Sequence, residues 1–158
     1  MPDSQENTPF QTPTQDEIVE LTKMHIGALE SSNDDLVWIA AGMSHVLLTI
    51  IGRKSGVERK TPLPYWRDTT GQRIVVASFA GAEKNPSWFH NLADKVANPT
   101  IVVRERDFVY QSDAEVLDGD DYVSTWAALT TDRPFYNNYQ AKTTRRIPLI
   151  RLPEPQQS

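Results

Sequence analysis

The sequence predicts a single α+β domain built on an antiparallel sheet closed into a barrel, with helices at its periphery. Three observations lead there. About six short runs rich in β-branched and aromatic residues recur between turn signals. Most of these runs follow one another as hairpins or with only short helical crossings, which suits antiparallel pairing and a barrel. Segments with helical spacing stand at the start, middle and end of the chain instead of alternating with every strand, which is the α+β pattern.

Taken in order, residues 1–13 (MPDSQENTPFQTP) are rich in Pro, Gln, Ser, Asn and Thr and are expected to form a loose tail. The domain is then expected over 14–152, with 153–158 as a second tail. Thr14 and Glu17 form a capping-box pattern, and Ile18, Leu21, His25, Ala28 and Leu29 fall at helical spacing, so a first helix is expected from about Gln15 to Glu30. Ser31 to Asp35 breaks it. Residues 36–43, apolar with Trp38 and Gly42, read equally as an ordered connection or as a short helix across a mouth. Val46 to Ile51 and Arg59 to Trp66 read as two strands around a cationic turn, and Arg73 to Phe79 as a third after the turn Arg67 to Gly71. Asn85 as N-cap and Pro86 in the first turn open a short helix. Asn98 and Pro99 end that segment, and strands follow at Thr100 to Arg104 and Phe108 to Val116. A helix begins at Asp118 to Asp121 with Tyr122, Trp126 and Leu129 inward. The Pro-interrupted aromatic segment Arg133 to Tyr139 then precedes a last strand, Ile147 to Leu152.

The 158 residues carry a formal net charge of -5, with 39% hydrophobic and 23% charged residues, as expected of one globular domain. An acidic balance argues against nucleic-acid binding, which needs a wide basic face. The absence of cysteine removes thiol catalysis, disulfides and sulfur-ligated metals together. No apolar run approaches the ~20 residues of a membrane span, and no basic-then-apolar secretion signal opens the chain. A cytoplasmic protein is expected.

Against that acidic background, Gly52, Arg53, Lys54, Ser55, Gly56, Arg59 and Lys60 gather cations, a hydroxyl and two glycines at one hairpin tip. A phosphate or carboxylate ligand needs such a combination, although a solvated turn would also use it. The run resembles the end of a nucleotide-binding Walker loop only superficially, because a strand with proline and no helix follows. His25, His45 and His90 lack metal-ligand spacing, so no metal site is expected, and no Ser stands in a nucleophile elbow. Ser78 to Gly81, with the helix opening at Asn85 to Ser87, is a second anion-friendly element or an ordinary capped loop. Phe135, Tyr136 and Tyr139 would cover a planar ligand or pack in the core.

The segments LLTIIGRKSGVERKTPL, VVASFAGAEKNPSWFHNL, ANPTIVV and YNNYQAKTTRRIPLIRLPEP, in that order and separation, resemble the deazaflavin-dependent nitroreductase family, the A branch of the flavin/deazaflavin oxidoreductases. The resemblance implies a split β-barrel of the FMN-binding-like type. It also implies a reductase that passes hydride from reduced deazaflavin coenzyme F-420 to quinones, nitroaromatics or activated enones. It places Arg53, Lys54, Ser55 and Arg59, with Gly56 at the same tip, on the cofactor's phosphate and oligoglutamate tail. Pro62, Val76, Ala77, Ser78, Ser87, Trp88, Phe89, His90 and Asn91 fall on positions lining the deazaflavin and its ribityl chain. Tyr136 and Tyr139, with Trp88, match substrate-side aromatics, and Phe79 takes the place of a cationic contact to the tail. Hydride chemistry belongs to the cofactor, so no catalytic side chain is assigned. The other readings on this barrel are an FMN enzyme or a non-catalytic small-molecule carrier. The expected partner is a small-molecule substrate, and a quinone substrate leaves room for peripheral membrane contact. The sequence is silent on oligomeric state.

Overall fold

The structure is a computed structural model that describes residues 15–155. The expected cap at Thr14, the N-terminal tail and residues 156–158 lie outside the described residues. The first helix, α1, spans Gln15–Ser31 and is followed by a short α2 at Asp35–Trp38, capped by the Asp34 carboxylate on the Leu36 N–H. Residues 36–43 therefore resolve into the end of a helix and the two-residue strand β1, Ile39–Ala40. Trp38 anchors them: its ring is fully buried and its indole N–H donates to Ser32 O at 2.7 Å.

Eight strands form the sheet where about six were expected. The long hairpin β2 (Met43–Ile51) and β3 (Glu58–Arg67) is its centre, and its register runs from His45 opposite Pro64 to Ile51 opposite Glu58. Then come β4 (Arg73–Val76), β5 (Ile101–Glu105), β6 (Phe108–Ser112), β7 (Glu115–Val116) and β8 (Leu149–Leu152). Every pairing is antiparallel, in the order β6-β5-β2-β3-β4-β8-β7, with β1 on β2. The strand expected over Phe108 to Val116 is two strands, because Asp113 and Ala114 carry the chain from one end of the sheet to the other. That two-residue span forces the sheet to curl into a split barrel. The seam is stitched by side chains: the Tyr110 hydroxyl donates to Leu152 O at 3.0 Å and Ser112 Oγ to Pro153 O at 2.8 Å. Pro153 is thus tied to the barrel, and Glu154 after it pairs with Arg73 of β4.

The strand expected over Arg73 to Phe79 stops at Val76 and turns into a 3-10 turn at Phe79–Gly81. Three further helices complete the fold: α3 (Ser87–Ala93), α4 (Gly119–Asp132) and α5 (Phe135–Ala141). The barrel interior is filled by Val46, Leu48, Ile50, Val75, Val103 and Ile150 among others. A second core between β4, β8 and helices α4 and α5 holds Trp66, Ile74, Tyr122, Leu129, Tyr136 and Ile147.

Candidate functional site

The cationic loop Gly52 to Val57 is closed by its own backbone. Gly52 N–H donates to Val57 O and Gly56 N–H to Gly52 O, both at 2.8 Å. Ser55 Oγ accepts from Val57 N–H at 3.1 Å and lies so close to Gly52 that a Cβ there would sit 2.6 Å from it. The loop is fixed to α3 by Asn91, whose Oδ1 accepts from Arg53 N–H at 3.1 Å and from Arg53 Nη1 at 2.9 Å. Behind this contact stands Asn98, only 1% exposed. Its Oδ1 accepts from Ile51 N–H, and its Nδ2 donates to Ile51 O and Asn91 O, each at 2.8 Å. One side chain therefore sets the end of β2 against the end of α3. The sequence offers Asn98 only as a breaker before proline, and nothing local signals a bridge to a strand 47 residues away.

The opposite wall is the turn after β4. Ser78 is right-handed helical, whereas Phe79 and Ala80 have φ of 44° and 54°, the left-handed region that non-glycine residues occupy only when held there. Gly81, at φ +80°, has no room for a side chain, because a Cβ would lie 2.7 Å from Tyr139 O. Arg145, in the connection from α5 to β8, holds this turn from behind. Its Nε donates to Ala82 O at 2.8 Å, Nη1 to Ala77 O at 3.1 Å and Asn85 Oδ1 at 2.7 Å, and Nη2 to Ser78 O at 2.7 Å. Burial, with no carboxylate to offset it, holds the guanidinium below the ordinary arginine pKa. The Asn85 side chain is thus taken by Arg145, and Pro86 occupies the cap position of α3 without a side-chain bond.

Between the two walls lies a cleft of about 860 Å³. It is lined by the cations Arg53, Lys54, Arg59 and Lys60 and by the apolar side chains of Pro62, Leu63, Phe79 and Trp88, with Thr22 contributed by α1. Lys60 also pairs with Glu30 of α1, which joins the helix to this lip.

Of the expected cofactor residues, Arg53, Lys54, Ser55, Arg59, Pro62, Ser78, Phe79, Ser87, Trp88 and Asn91 line this cleft. The remainder do not. Gly56 sits exposed at the loop tip with φ +70°. Val76 and Ala77 are buried, Val76 in the core under α4 and α5 and Ala77 in the barrel interior. On α3, Ser87, Trp88 and Asn91 share one face by their spacing of three and four, which turns Phe89 into the barrel core and leaves His90 exposed. Tyr136 and Tyr139, expected on the substrate side, are not among the residues that line this cleft. Tyr136 is 3% exposed inside the second core, where burial pushes its phenol pKa up, and Tyr139 packs against the same cluster. Both rings pack on Phe135 of α5, and the Tyr139 carbonyl abuts Gly81 of the turn after β4.

Comparison with known proteins agrees with this geometry. Residues 22–154 match the family described as F-420H(2)-dependent quinone reductase. An F-420H(2)-dependent quinone reductase of Mycobacterium tuberculosis is 30% identical over 139 residues, covering 85% of this chain and 90% of that protein. Among solved structures, an F-420-H2 dependent reductase (FDR-A) is 36% identical with a TM-score of 0.58, over 69% of this chain and 93% of that one. Another, solved as a domain-swapped dimer, is 30% identical with a TM-score of 0.61, over 89% and 100% of the two chains. The curated relatives are named for coenzyme F-420 and quinones, and the flavin alternative finds no counterpart in those names. The chain belongs to the F-420H(2)-dependent quinone reductase family.

Proposed function

We propose that this protein binds coenzyme F-420 in the cleft and serves hydride transfer from its reduced form to an electron-poor acceptor, a quinone in the first place and nitroaromatics or activated enones by the same chemistry. The observation that carries the reading is that one cleft is lined both by cations and by apolar side chains. Arg53, Lys54, Arg59 and Lys60 come from the β2–β3 hairpin, and Pro62, Leu63, Phe79 and Trp88 supply apolar surface. A ligand with a planar ring system and an anionic tail fits such a lining. The reduced deazaflavin supplies the hydride when bound. Arg53, Lys54 and Arg59 bind the tail by charge-assisted contacts, and Asn91 holds the Arg53 guanidinium in place from α3. Trp88 and Leu63 shed water from the ring end, and the two rigid walls fix its orientation. Binding, orienting and drying the site is all that the chain has to contribute. No helix of the described residues is long and apolar enough to cross a membrane.

The test is fluorescence titration of the purified protein with F-420 and, separately, with FMN. Anaerobic mixing of the reduced F-420 complex with a soluble quinone follows. Saturable F-420 binding, weaker FMN binding and protein-dependent oxidation of the cofactor are expected. Preference for FMN would overturn the cofactor assignment. Tight F-420 binding without turnover of any acceptor would favour the carrier reading, which the apolar Phe79 in the cleft wall also suits.

A further inference from the structure

Arg145 does not line the cleft, yet it fixes the backbone of the wall that does. A trans peptide sets its N–H opposite its C=O, and no peptide bond among the described residues is cis. With the Ala77 and Ser78 carbonyls held on the Arg145 guanidinium, the N–H groups of Ser78 and Phe79 point the other way, toward the cleft that both residues line. Among the described residues neither N–H has an intrachain acceptor. The left-handed Phe79 and Ala80 are what bring the turn back toward α5, where Gly81 meets Tyr139 O.

We propose that Arg145 is a positioning residue for ligand binding: through three wall carbonyls it holds the 77–82 turn in the form that presents the Ser78 and Phe79 amides to an acceptor-bearing part of the bound cofactor. The identity of that ligand rests on the F-420 reading; the geometry of the turn does not.

Two measurements on Arg145→Gln and Arg145→Lys test it. In ligand-free protein, the N–H groups of Gly81 and Ala82 are bonded to Ser78 O and Phe79 O, so their hydrogen exchange reports the turn. Their exchange is expected to speed by at least about tenfold in both variants, with β2 and β3 unchanged. In F-420 titration, Kd is expected to rise about tenfold. The rise should shrink at least about threefold on an Ala80→Gly background, because glycine adopts positive φ without being forced. Should Arg145→Gln fail to fold, Arg145→Lys is read the same way, since one ammonium cannot span four acceptors. A residue that merely staples the fold would lower Tm and leave both the Kd of the folded protein and its coupling to Ala80 unchanged. That outcome, or unmoved exchange at Gly81 and Ala82, overturns the proposal. If exchange speeds as expected but the parent protein does not bind F-420, Arg145 still positions the turn and the identity of the cofactor falls.

Discussion

Lys54, like Arg59, is a cation of the lip with no hydrogen-bond or ion-pair partner among the described residues. Arg53 is bonded to Asn91 and Lys60 to Glu30, so their side chains also serve the fold. Lys54 is exposed at the mouth of the cleft. A charge-assisted contact to an anionic tail is worth about 1.5–3 kcal/mol, and exposure to water favours the lower end. Lys54→Ala should therefore raise the Kd for F-420 about tenfold, or ~1.4 kcal/mol, and flatten its salt dependence. Titration at low and high salt checks both, and an unchanged Kd removes Lys54 from the site. The density of charge made this lip legible in the sequence, because several cations at one hairpin tip are costly unless something anionic is bound. Tyr136 was legible only halfway. Its spacing from Tyr139 gives a shared face, but which face looks inward depends on the packing of α5, and no pattern within seven residues encodes that.

At the scale of elements, the cleft depends on how α3 and α1 dock on the sheet. Asn98→Ala would leave Ile51 N–H, Ile51 O and Asn91 O without the partner that joins β2 to α3. A loss of about 2–3 kcal/mol is expected from denaturant unfolding, together with weaker cofactor binding, because the loop bearing Arg53 loses its support. A stability loss under ~1 kcal/mol would show that water replaces the amide. On the other side, His25 of α1 and His45 of β2 meet edge to face at 5.0 Å. Burial lowers both pKa values below 6.5, and for His45 the neighbouring His25 and the Arg133 charge lower it further. The unfolded chain therefore takes up protons that the folded one resists. The stability these rings contribute is complete above about pH 6.5 and declines as pH falls below it. His45→Gln should flatten the fall in Tm between roughly pH 7 and pH 5, and a parallel fall in variant and parent would rule the pair out as its cause. The strand and helix boundaries were mostly legible from periodicity. The early end of β4 was not, since Ala77 to Phe79 continue a strand-like composition and only the distant Arg145 draws them into a turn.

For the whole molecule, the split barrel is held across its interior by Arg73 of β4, which is 4% exposed. Its guanidinium donates to Glu105 of β5 at 2.8 and 3.2 Å, to Glu154 at 3.1 Å and to the Tyr110 hydroxyl of β6 at 3.4 Å, while Tyr65 of β3 donates to Glu105 at 2.7 Å. In sequence Arg73 is simply a charge at the start of a strand, because its partners lie 32 and 81 residues away. Glu105→Ala leaves a buried cation with only the half-exposed Glu154 as counter-ion, and about 3 kcal/mol should be lost in equilibrium unfolding. A loss near zero would mean that Glu154 takes over the pair. The barrel architecture itself was legible from hairpin order, yet the seam was not, since closure is made by hydroxyls of Tyr110 and Ser112 on the carbonyls of the last residue of β8 and of the residue after it.

β8 lies between β4 and β7, and Arg145 directly precedes it in the chain. During synthesis the ribosome therefore releases the cationic lip long before the strand that completes the sheet and the arginine that shapes the facing wall. Until then β4 and β7 are both unpaired edges, the kind of surface on which chains add to one another. A version stopped at Arg146 should scatter light and bind a holdase chaperone at concentrations where the full chain stays clear, and a clear, monomeric truncation would show that the sheet does not wait for its last strand.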